Sequence, residues 1–173
     1  VFRREIRVLD GHDILWAADG SRFAVTNGAS IHVFVNDSWR ESLSFSAGER
    51  YPSTMSNVSL SYNAAYLAGV TLSSTDGMLM IWDAITFARV ANVAAYPAAV
   101  HHVLNVGWSP VDLRLFTYDT HDSSVDVWSM ESGTAVNVAT SPAGDDPVTS
   151  AAWSPDGQAI AIAFGTHVTI WTV

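Results

Sequence analysis

The chain has 173 residues, 49% of them apolar and only 14% charged, with eight arginines, no lysine and 17 acidic residues, giving a formal net charge of −9. That composition supports one packed domain and excludes a disordered chain. The charged share lies well below the usual figure of about 25%, and the negative balance argues against direct nucleic-acid binding, which needs a basic face.

The pass along the chain begins with Phe2-Arg3-Arg4-Glu5-Ile6-Arg7-Val8-Leu9. Its alternation predicts an orphan strand whose arginines form one solvated face. Strands are then expected over about 13–17, 22–27, 30–36 and 40–46. Four more follow at about 56–62, 65–73, 78–83 and 87–95, and another four at about 103–109, 114–120, 124–130 and 134–140. The last three are 148–153, 159–164 and 168–173. The runs are rich in β-branched and aromatic residues and alternate. Asp76-Gly77, Ser132-Gly133, Asp156-Gly157 and Gly165-Thr166 punctuate them as turns. The alanine-rich stretch 91–99 reads as strand and loop, because Val93, Pro97 and Val100 oppose a helix.

A phrase recurs through these strands. Its clearest copies are Trp108-Ser109-Pro110 and Trp153-Ser154-Pro155-Asp156-Gly157. Fainter ones are Trp16-Ala17-Ala18-Asp19-Gly20 and Leu60-Ser61-Tyr62-Asn63-Ala64. An aromatic follows 18 to 22 residues later: Phe34, Trp82, Trp128 and Trp171, at spacings of 48, 46 and 43. Such a period marks a repeat architecture. The unit is a four-stranded meander of about 45 residues, too small to bury its faces alone, so neighbours must stack. The predicted segments are 1–10 as the orphan strand, 11–47, 48–96 and 97–141 as full units, and 142–173 as a unit lacking its outermost strand.

These residues resemble the WD-repeat (β-transducin-like) propeller family. Trp82-Asp83 matches the naming dipeptide, Trp128-Ser129 and Trp171-Thr172 come close, and Gly11-His12 matches the pair that opens a repeat. Ser-Pro-Asp-Gly turns also occur in TolB-type and prolyl-oligopeptidase-type propellers. The resemblance covers the whole chain and implies an all-β propeller of about four four-stranded antiparallel blades. Rings of this family close with roughly six to eight blades. Four blades therefore imply a part of a larger ring, a partner chain or second copy completing it, or a four-bladed ring closed by the N-terminal strand. The start at Val1 rather than Met reads as a processed or partial chain.

The resemblance also implies a buried hydrogen-bond set within a blade. The third unit alone supplies it in order: His101 or His102, then Thr117, Asp122 and Trp128. This set holds the fold and does no chemistry. No nucleophile elbow, phosphate-cradling loop or His-Glu-x-x-His motif is present. No cysteine exists for disulfides, thiolate ligands or nucleophilic attack. Asp145-Asp146 reads as a solvated loop rather than a cation site, and His12, His32 and His167 as strand-associated residues in different units. No enzyme activity, metal or cofactor is expected. No window of 18 uninterrupted apolar residues predicts a membrane span.

Function is sought on the loops joining the units, at 47–53, 96–102 and 141–146. By the resemblance their face binds proteins, so Arg50, Tyr51, Tyr96, His102, Asp122 and Asp145 are candidate contacts. Trp39, in the short connection before the first unit's last strand, is a further interface candidate. The six other tryptophans are expected in the core or between units. The leading expectation is an intracellular, cytoplasmic, non-catalytic scaffold within a multiprotein complex, with nuclear and cytoskeletal or ciliary complexes left open. The alternatives are a propeller subdomain gating a hydrolase outside this chain and a subunit of a translation or other ribonucleoprotein complex.

Overall fold

The computed structural model describes residues 13–26, 30–38, 41–46, 55–72, 77–93, 105–119 and 123–173. They form fifteen strands in four antiparallel sheets, each hydrogen-bonded in chain order. The first sheet holds β1 (Asp13–Trp16), β2 (Arg22–Thr26), β3 (Ser30–Val35) and β4 (Glu41–Ser46). The second holds β5 (Met55–Leu60), β6 (Tyr66–Leu72), β7 (Gly77–Asp83) and β8 (Arg89–Val93). The third holds β9 (Asn105–Trp108), β10 (Arg114–Tyr118), β11 (Val125–Ser129) and β12 (Val136–Thr140). The fourth has three strands, β13 (Val148–Trp153), β14 (Ala159–Phe164) and β15 (His167–Thr172). The expected strands are matched to within two residues at each end. No helix occurs among the described residues. The orphan strand at 2–9 lies outside them.

The recurring phrase makes the turn between the first and second strands of every sheet. Four equivalent backbone bonds close it: Ala17 N–H to Arg22 O, Ser61 to Tyr66, Ser109 to Arg114 and Ser154 to Ala159, at 2.8 to 3.0 Å. Three of the turns contain a left-handed residue, at Gly20 (φ 70°), Ala64 (φ 53°) and Gly157 (φ 66°). Ser154 Oγ donates to Asp156 Oδ1 and accepts from Ala159 N–H, while Asp156 Oδ1 also accepts from Gln158 N–H. Ser61 and Asn63 repeat this set atom for atom, accepting from Tyr66 and Ala65. The faint copy thus builds the same turn as the clear one, because Asn and Asp present the same acceptor oxygen two residues after the serine.

The sheets stack in chain order through three apolar layers. Ala24, Ile31 and Val33 meet Leu60, Leu67 and Trp82 in the first. Ala68, Leu79 and Ile81 meet Trp108, Leu115 and Trp128 in the second. Phe116, Val125 and Val127 meet Ile160, Ile162 and Phe164 in the third, with Trp153 at its margin. The first strands lie next to one another, β5 against β1, β9 against β5 and β13 against β9. Each buried Val, Leu, Ile or Phe in these layers contributes about 1.5–3 kcal/mol. Polar bonds pin each boundary. Asp19 N–H donates to Tyr62 O at 2.9 Å, Trp108 N–H to Ser59 Oγ at 3.1 Å, and Trp153 Nε1 to Gly107 O at 3.0 Å.

The outer pairs share a feature that alternation does not disclose. Register shifts at Val33/Phe34, Ile81/Trp82 and Val127/Trp128, the same position in three sheets. A bulge there adds local twist as the last strand leaves the sheet.

Candidate partner-binding surfaces

The buried polar pair of the third sheet starts from two strands in register. Leu115 faces Trp128 across β10 and β11, which puts Thr117 diagonal to Trp128 on the same face. Trp128 Nε1 donates to Thr117 Oγ1 at 2.9 Å, and both residues are buried. His101, His102 and Asp122 lie outside the described residues. Two acids absent from the sequence expectation are buried in this sheet. Asp119 follows β10 on the Thr117 face with no exposure. Asp126, in β11, accepts from Thr140 Oγ1 and from Asn137 Nδ2 (3.1 Å), tying β12 to the sheet. The signal for Asp126 was an acid at an alternating position of Val125-Asp126-Val127-Trp128, with Asn137 and Thr140 polar in the next strand. The Thr117–Trp128 pair and Asp126 hold strands together.

Of the seven partner-contact candidates, Asp145 is the one among the described residues. Arg50, Tyr51, Tyr96, His102, Asp122 and Trp39 lie outside them. Asp145 is exposed on the connection from β12 to β13. That connection is anchored at its start, where Ser141 Oγ accepts from Val125 N–H at 2.9 Å and Ser141 N–H donates to Val125 O at 2.8 Å. Gly144 N–H donates to Ser123 O at 2.7 Å, and Gly144 lies so close to the Phe164 ring that a Cβ would sit 2.6 Å from it. The anchoring holds Asp145 outward. His167 stacks on Phe164 with ring centroids 5.3 Å apart. A cavity of about 250 Å³ lies here, lined by Pro142, Gly144, Phe164, His167 and Trp171. A second, of about 510 Å³, lies on the other side of Trp171 against Arg114, Val138 and Ala139. Both open beside β15, which has no fourth strand paired to it among the described residues. No group of three or more His, Asp or Glu able to hold a metal occurs among the described residues.

Two carboxylates are held below their usual range. Asp83 is lowered chiefly by the backbone N–H of Thr86, with Ile85 N–H and Thr86 Oγ1 adding to it and burial opposing. Asp156 is lowered chiefly by Ser154 Oγ and then by Gln158 N–H. Both are turn clamps.

Both ends of the stack carry exposed large apolar residues. On the first sheet Ile14 and Trp16 are 67% and 51% exposed, beside a buried cluster of Phe23, Val25 and Phe34. On the fourth, Val168 and Ile170 are 64% and 65% exposed. Trp16 therefore departs from the expected core or inter-unit position, whereas Trp82, Trp108 and Trp128 are buried. Its face is the one that other sheets turn to the preceding sheet, and no described sheet precedes the first. Among the described residues no helix is long and apolar enough to cross a membrane. The chain matches no protein-family model and no curated protein.

Proposed function

We propose that the chain forms blades of a β-propeller of the WD-repeat kind and serves as a non-catalytic scaffold for protein partners. The observation that carries this reading is the stacking of four antiparallel meanders in chain order, first strand beside first strand, through equivalent faces. That is how a propeller wall is built. Such a wall holds its connecting loops rigidly, which lowers the ordering cost of binding. Asp145 and Asp146, exposed on the anchored β12–β13 connection, belong to the presented surface.

The test is quantitative affinity purification of the chain and of an Asp145→Arg/Asp146→Arg variant. The scaffold reading expects a stoichiometric protein partner retained by the first and depleted from the second, with far-ultraviolet circular dichroism unchanged. Esterase or peptidase activity in the purified chain, or the same partners on both, would count against it.

A further inference from the structure

We draw no further inference here: the strongest candidate, the cavity of about 250 Å³ between the β12–β13 connection and β15, lined by Pro142, Gly144, Phe164, His167 and Trp171, opens beside the outer edge of β15, and nothing in the structure shows what covers that edge.

Discussion

Single residues divide here into those that hold turns and those that satisfy buried polarity. Thr117 accepts the Trp128 indole N–H inside the second apolar layer. Thr117→Val keeps the shape and leaves that N–H buried without its acceptor. It is expected to cost about 1–3 kcal/mol, read from the urea midpoint with an unchanged slope. Gly157 has φ 66°, and a Cβ there would collide with Val111 Cγ2. Gly157→Ala should destabilise by at least about 1–2 kcal/mol, the cost of a left-handed non-glycine residue plus the collision. Burial raises the Tyr118 phenol above its ordinary value of 10.0, a hydrogen bond to Ser150 working against it. The folded state therefore releases this proton later than the unfolded chain. Its contribution to stability is whole below about pH 10 and declines as pH rises through that value and beyond. Denaturant midpoints measured from about pH 8 to about pH 11 should fall, and Tyr118→Phe should flatten that fall.

At the scale of elements, strands and turns were legible because alternation and turn chemistry are local. Ile160, Ile162 and Phe164 face one layer while the intervening alanines face the other way, as the sequence pattern required. The long-range role of Arg114 was not legible. It pairs with Asp112 at 2.8 Å, donates to Gly157 O at 2.6 Å and lies 5.2 Å above the Trp153 ring. One side chain at the start of β10 thereby joins the third sheet to the fourth. Arg114→Met, which keeps the stem and removes the guanidinium, should cost about 1–2 kcal/mol by urea unfolding. The common bulge at Phe34, Trp82 and Trp128 was equally hidden, since an extra residue in a pair does not disturb either strand's own alternation.

For the whole molecule, one repeat position shows what stacking adds. Ile81 and Ile170 occupy equivalent places before Trp82 and Trp171, yet one has no exposure and the other 65%. Ile81→Ala should cost about 2–5 kcal/mol, while Ile170→Ala should stay within about 0.5 kcal/mol. Equal losses in the two variants would show that the fourth sheet is covered after all. The sequence by itself determined the period, the strands, the turn at each Ser-x-Asx phrase and the outward or inward parity of each side chain, because all of these follow from neighbours a few residues apart. Tertiary structure alone decided which apolar faces find a partner. It carried Arg114 across to Gly157, and left Trp16 and Ile170 uncovered. The reason is physical: identical repeats prescribe identical faces, and only their place in the stack determines whether another sheet excludes the water from them.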